Sequence, residues 1–419
     1  MATLPRPYPL FSRIGIEIEY MIVDWTTLRV LPVADRLLHA ASGSFGNEVV
    51  RGEVGWSNEL AAHCLEIKAT EPAASLDGID AAFGRSIREA NALLAGQGAE
   101  LLGTGMHPFM NPATETRLWP YGYHEIYEAF DRLFDCKRHG WANLQSVHVN
   151  LPFANDEEFG RLHAAVRLVL PIIPAIAASS PLVEGRLSGF ADTRLEFYRS
   201  NSAQVPSITG AVIPEPVFTM EEYRDTILGP IYRDLAPIDP TGILCEEWVN
   251  ARGAIARFDR SAIEIRLIDA QETPGADLAI AAAVAGAVKL VAGEQFSSFA
   301  AQKFFPVEPL AAILLDTIRE GEAAVIGDAA YLASFGKKDR SLTGRDLWRY
   351  IVAMIDKNDP GALSPHRAVL EKILDQGTLA TRIIAALGPM PRHEGILSVY
   401  RTLCGCLRNG TIFPGQETP

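Results

Sequence analysis

Apolar and polar residues alternate in four short stretches of the chain. In Ile14 to Val23, Ile14, Ile16 and Ile18 alternate with Gly15, Glu17 and Glu19. Successive side chains of a strand point to opposite faces, so one face is apolar and the other carries two carboxylates. Leu65 to Thr70 repeats the pattern, with Leu65 and Ile67 opposed to Glu66 and Lys68. In Gln145 to Phe153, Val147, Val149 and Leu151 alternate with Ser146, His148 and Asn150; in Ala262 to Asp269, Ile263, Ile265 and Leu267 alternate with Glu264 and Arg266.

Between these strands the spacing turns helical over Ala73 to Gly96, and two apolar runs, Ala164 to Val183 and Leu278 to Val291, read as buried helices. The first is interrupted by Arg167, Pro171 and Pro174 and the second is too short to cross a bilayer, so no membrane span is expected. Ser179 to Thr193 and Asn201 to Pro216 read as long loops over a sheet. After Asp277 the strand signal fades, and helical stretches follow around Pro309 to Glu320, Gly344 to Asp356, Pro365 to Asp375 and Gly395 to Leu407. Helix and strand are interspersed without a regular βα repeat, which predicts an α+β fold: a mixed or antiparallel sheet with helices packed on one face. The expected division is a catalytic part, residues 1–300, followed by a helical C-terminal part, residues 301–419.

With 48% hydrophobic and 21% charged residues the chain has the balance of a globular protein with a large core. Its 38 basic against 51 acidic residues give a net charge of −13, and no run of Lys or Arg offers a phosphate-tracking stripe, which excludes nucleic acid as a partner. A nucleotide stays compatible with that charge, because divalent cations neutralise a triphosphate locally. Cys64, Cys136, Cys245, Cys404 and Cys406 are odd in number and form no CxxC pair, the pattern of reduced thiols in a cytoplasmic protein. Met1 to Arg13 holds three prolines and no continuous apolar stretch, so no signal peptide is expected there.

The polar faces carry the chemistry. Solvated strand faces favour Thr, Lys and mixed polar residues, whereas these carry Glu, His, Asn and Arg. Several carboxylates on one concave face repel one another, and divalent cations resolve the repulsion. Oxygen ligands with one imidazole suit magnesium or manganese better than zinc. The pattern therefore points to a multi-metal site, with Arg266 aimed at phosphate. No GxxxxGK[ST] loop and no strand-linked GxGxxG is present.

Taken in order, Gly15-Ile-Glu-Ile-Glu-Tyr20, Leu65-Glu-Ile-Lys-Ala-Thr70, Val147-His-Val-Asn-Leu151, Ala178-Ser-Ser-Pro181 and Ile263-Glu-Ile-Arg-Leu-Ile-Asp269 resemble the ordered motifs of glutamate-cysteine ligases and related carboxylate-amine ligases. The resemblance covers residues 13 to 300 and, more loosely, the helical tail. It implies a curved, glutamine-synthetase-like antiparallel sheet, ATP as cosubstrate, two or three Mg²⁺ (or Mn²⁺) ions, and an amino acid and an amine as small-molecule substrates. It implies Glu17, Glu19, Glu59, Glu66, His148 and Glu264 as metal ligands and Arg266 as a phosphate contact. Arg199 stands where the family carries an arginine near substrate and acyl phosphate, and Arg257 is a second nucleotide-side candidate. Asn150 is assigned a supporting part. His107, in a segment similar to one on the family's substrate side, either fixes its loop beside Pro108 or touches substrate.

Ser200 to Val205 departs from the pattern, lacking an aromatic that some cysteine-using members carry, which leaves the amine open. A homo-oligomer is compatible with the sequence. The expected reaction is ATP-dependent amide formation through an acyl phosphate, a chemistry that asks for positioning and charge neutralisation more than for a nucleophilic side chain. Two rivals stand beside it: a guanidino or carboxylate phosphotransferase on the same sheet, and a binding protein that keeps the metal face without turnover.

Overall fold

The strand β1 (Gly15–Asp24) has two faces of opposite character, and the fold is arranged around that difference. In the computed structural model, which describes residues 7–415, Ile16, Ile18, Tyr20 and Ile22 are all buried on the back of β1. Each such aliphatic side chain contributes about 1.5–3 kcal/mol on burial. The flanking strands are β2 (Glu48–Arg51), β3 (Val54–Asn58), β4 (Cys64–Ala69), β5 (Ala99–Leu102) and β6 (Ser146–Pro152). A two-residue hairpin, β7 (Leu182–Val183) and β8 (Arg186–Leu187), stands apart, and β9 (Ala254–Arg257) and β10 (Ala262–Asp269) complete the main sheet. Its order is β2-β3-β4-β1-β6-β10-β9, with β5 pairing Met21–Asp24 of β1, and every pairing is antiparallel.

Helices Asp156–Val169 and Pro274–Ala292 lie on the back of the sheet and share its apolar cluster. Each begins where its sequence caps it: Asn155 accepts from Glu158 N at 3.0 Å ahead of an acidic first turn, and Thr273 accepts from Ala276 N at 3.1 Å ahead of Pro274. Pro274–Ala292 is apolar enough to cross a membrane by composition alone, but 78% of its most apolar window is buried inside the protein, which makes it a core helix. A Cβ at Gly286 would lie 2.7 Å from Ile355 Cδ1, so glycine is what lets this helix approach Gly344–Asn358 so closely.

Helices Val307–Glu320, Gly344–Asn358 and Arg367–Gln376 bury Leu310, Trp348 and Leu370 in the same cluster as the back of the sheet. Helices Leu379–Leu387 and His393–Asn409 close a second apolar cluster on the front, over Met21, Val23 and Leu102. The front of β1 is thus polar only through Glu17 and Glu19, and the cleft has an apolar end wall beyond them.

Two expected helices are shorter than their patterns. The spacing over Ala73 to Gly96 gives a helix only from Ile79 to Ala95, because Ala73 exchanges backbone hydrogen bonds with Ile14 at the sheet edge. The apolar run from Ala164 leaves α-helical geometry at Val169, just before Pro171, which has no N–H to continue the ladder.

Candidate active site

The strand register sets out the front face in tiers. Glu19 lies opposite Glu66 of β4, and its Oε2 accepts from Ser146 N at 2.7 Å and Ser146 Oγ at 3.0 Å. One tier further along, Glu17 lies opposite Lys68 on one side and His148 on the other. Beyond it Asn150 lies opposite Glu264 of β10. Asn150 apart, these side chains line a cleft of about 390 Å³, with Glu59 entering from the loop after β3.

Glu17, Glu66 and His148 bring ligand atoms within 4.8 Å of one another. His148 Nδ1 is 3.6 Å from Glu17 and 3.8 Å from Glu264, while its Nε2 lies 2.9 Å from Ser146 Oγ. The electrostatics are those of an anion cluster short of positive charge. Burial and then the Glu17 charge push the Glu66 carboxyl up to about 7, against Lys68, Ser57 and His148. Burial, then the charges of Glu19, Glu66 and Glu17, hold Glu59 well above the usual carboxylate range. For Glu17 burial acts upward, but hydrogen bonding and charge from His148, with Arg260 and Lys68, outweigh it and hold the carboxyl well down. His148 is shifted upward: burial would lower it, and Glu17, Glu19 and Glu264 overcome that. Hard oxygen donors, one imidazole and carboxylates too crowded to ionise together fit a magnesium or manganese site.

Four cations border the acids. Arg266 Nε donates to Glu264 Oε1 at 2.6 Å, Arg257 Nη1 to Glu264 Oε2 at 3.1 Å and Arg260 Nη1 to Glu17 Oε1 at 3.1 Å, while Lys68 Nζ is 3.6 Å from Glu66. Glu264 gives both oxygens to arginines, so in this structure it positions Arg257 and Arg266, with His148 as its neighbour at 3.8 Å. Asn150 Nδ2 lies 3.3 Å from Glu17 Oε1, a supporting contact. Arg260, in the turn before β10, has no alternation to announce it.

Arg199 is not brought to the cleft. It caps the helix Thr193–Tyr198 on the solvent side and forms a two-point pair with Glu196 at 2.8 and 2.9 Å. Arg194 and Tyr198, one helical turn apart, face the cleft instead; position 199 is turned by roughly 140° from 194 at 3.6 residues per turn. Arg194 is buried, donates through Nε to Asp269, and keeps Nη2 without a partner. Asp269 reaches the front face because the β10–β6 register shifts between Ile265 and Ile268, a bulge that turns it toward Ser146. It also accepts from Ser179 N and Ser180 Oγ, both at 2.8 Å, which accounts for the Ala178-Ser-Ser-Pro181 motif. His107 fixes its loop: Nε2 is 2.7 Å from Leu28 O, Nδ1 accepts from Phe109 N, and the ring does not line the cleft.

The sequence profile of glutamate-cysteine ligase family 2 matches residues 13–402. An uncharacterized protein of Archaeoglobus fulgidus is 32% identical over 400 residues, 96% of this chain and all of that one. A protein of Rubrobacter xylanophilus, named provisionally as glutamate–cysteine ligase 2-3, is 26% identical over 304 residues, 71% of this chain and 72% of that one. The crystal structure of a glutamate–cysteine ligase from Francisella tularensis in complex with AMP shares the fold, with a TM-score of 0.59 at 13% identity over 94% of this chain and 88% of that chain. The chain belongs to glutamate-cysteine ligase family 2.

Proposed function

We propose that the protein is an ATP-dependent carboxylate-amine ligase that activates an amino acid, glutamate in the first instance, as an acyl phosphate. One observation carries this reading: Glu17, Glu66 and His148 converge at the edge of a cleft whose next tier presents Arg257, Arg260 and Arg266. Anion-binding and cation-binding groups alternate there over a few ångströms, as a metal–triphosphate requires. Residues 1–300 would carry the chemistry, braced by 301–419, in a cytoplasmic enzyme.

Glu17, Glu19, Glu59, Glu66 and His148 would hold the Mg²⁺, with Glu264 beside them. Bound Mg²⁺ would neutralise the triphosphate and align the phosphoryl group for transfer. Arg266 and Arg257, held by Glu264, place fixed positive charge where the transferring phosphoryl oxygens gather it. The carboxylate oxygen of the acid attacks the γ-phosphorus and ADP departs. The amine nitrogen then attacks the acyl carbon, the C–O bond breaks, and phosphate and a proton are released.

The test is chemical. With ATP, Mg²⁺ and the acid alone, hydroxylamine should trap a hydroxamate together with stoichiometric ADP. A screen of amino-acid pairs with mass spectrometry of the product then identifies the amide. Phosphorylation of a substrate nitrogen, or no ADP with any common amino acid, would favour the phosphotransferase or the binding protein.

The pH dependence of stability gives a second check. Glu66 and His148 both titrate higher folded than unfolded, so the stability they contribute is present at low pH and is lost as pH rises through their folded values, for Glu66 about 7. A cation that binds the deprotonated cluster restores it. The rise in Tm caused by Mg²⁺ should therefore be larger at about pH 8 than at about pH 5.5. A Tm increment that does not depend on pH would count against these ligands.

A further inference from the structure

The helix Thr193–Tyr198, which brings Arg194 and Tyr198 to the cleft, starts from an aspartate that the metal and phosphate chemistry does not use. Asp192 is wholly buried. Its Oδ1 caps the helix by accepting from Leu195 N at 2.8 Å, and its own N–H donates to Ile318 O at 3.0 Å, which fixes the residue in place. The other oxygen, Oδ2, is buried and meets no donor among the described residues. It adjoins the carboxyl of Asp269, within hydrogen-bonding reach.

Asp269 has room for one more donor. Arg194 Nε donates to its Oδ1, while Ser179 N and Ser180 Oγ, both at 2.8 Å, occupy Oδ2. Ser179 Oγ lies 3.3 Å from that oxygen but gives its hydrogen to Ala270 O at 2.7 Å. A carboxylate offers about four acceptor positions, so one remains, on Oδ1. Two buried carboxyls that touch, with one guanidinium beside them, are not both ionised. The surroundings add no relief: Glu19 of β1 bears on Arg194 as a further anion, and the Tyr400 phenol of the helix His393–Asn409 faces the Asp269 charge. Burial and then the Asp269 charge hold the Asp192 carboxyl well above the usual range, against Arg194 and the Leu195 N–H. A proton between the two carboxyls satisfies the orphan oxygen, fills the last acceptor position and balances the charge.

We propose that Asp192 is a positioning residue that acts as the neutral acid, capping the helix through Oδ1 and donating its proton through Oδ2 to Asp269, so that Asp269 alone answers Arg194. Arg194 then keeps Nη2, which has no partner, for an anion in the cleft. Were Asp192 ionised, two negative charges would face one guanidinium, and Arg194 would hold no net attraction for an anionic ligand. The proton is independent of the ligase reading; its consequence for the cleft rests on that reading and deepens it.

Infrared difference spectroscopy of wild type against Asp192→Asn reads the proton directly. At about pH 7, where an ordinary aspartate is ionised, wild type should show a protonated-carboxyl C=O band that Asp192→Asn lacks, the other protonated carboxyls of the chain cancelling. Loss of a carboxylate band instead overturns the proposal. Positioning is read by hydroxamate formation from glutamate, ATP, Mg²⁺ and hydroxylamine. Asp192→Asn keeps an oxygen for Leu195 N and an N–H for Asp269, whereas Asp192→Ser also caps a helix but is too short to reach Asp269. The serine variant should form hydroxamate about tenfold more slowly than wild type, the scale of one buried hydrogen bond, and the asparagine variant should restore most of the rate. Equal rates in the two variants would reduce Asp192 to a helix cap and overturn its positioning role. If wild type forms no hydroxamate, the ligase reading has failed, and the infrared band still decides the proton.

Discussion

Arg266→Ala is expected to lower kcat by roughly two to three orders of magnitude, the scale of removing one preorganised charge stabiliser from a reaction site. The expectation rests on what holds the guanidinium. Glu264 is buried on β10 two residues away and orients Arg266 through a 2.6 Å bond to Nε, so that the guanidinium lines the cleft beside Tyr198, where it can meet developing phosphate charge. Arg257 keeps its own contact with Glu264 at 3.1 Å, so the carboxylate left behind stays paired. The stability loss should then be about 1–2 kcal/mol, well short of the cost of orphaning a buried charge. Arg266→Lys should recover only part of the rate, because an ammonium is a point charge where the guanidinium is a planar fork. Measured kcat, Tm and Mg-ATP affinity for the three proteins decide the matter. An Arg266→Ala enzyme that keeps its rate and is slightly less stable would make the pair with Glu264 merely structural.

The strands that carry the site were legible because their function demands strict alternation. Glu17 with Glu19, Glu66 with Lys68, Ser146 with His148 and Asn150, and Glu264 with Arg266 share the front face as the spacing predicts. The antiparallel sheet with helices behind it followed from the same pattern. Asp269 escaped because one extra residue in β10 breaks the period of two, and a bulge leaves no mark in a run such as Ile-Arg-Leu-Ile-Asp. The helix Thr193–Tyr198 is too short to show a periodicity of its own, so the sequence does not distinguish Arg194 from Arg199 and only the packing reveals which side faces the cleft. β3 is not legible in the sequence, because Val54-Gly-Trp-Ser-Asn58 is buried throughout and alternates in nothing.

That same bulge makes Asp269 the position where one substitution should do most damage to the fold. The carboxylate is wholly buried and holds Arg194 Nε, Ser179 N and Ser180 Oγ, tying two separate segments to the end of β10. Asp192 adjoins it, its carboxyl held well above the usual range by burial and then by the Asp269 charge, and it is Asp269 that Arg194 Nε donates to. Asp269→Ala should cost about 3–5 kcal/mol, the range for removing one partner of a buried ion pair, because it strands a guanidinium and two donors away from water. Replacing Arg194 as well removes the stranded charge, so Asp269→Ala with Arg194→Met should be less destabilised than the sum of the two single variants, by about 1–3 kcal/mol of coupling. Asp269→Asn keeps the shape and one acceptor but turns an amide donor toward other donors, and should fall between wild type and alanine. Chemical denaturation of these proteins and of the Arg194→Met single variant measures all of this. If the double variant is less stable than Asp269→Ala by the full cost of Arg194→Met, the two residues act independently and the assignment of Asp269 as the anchor of Arg194 fails.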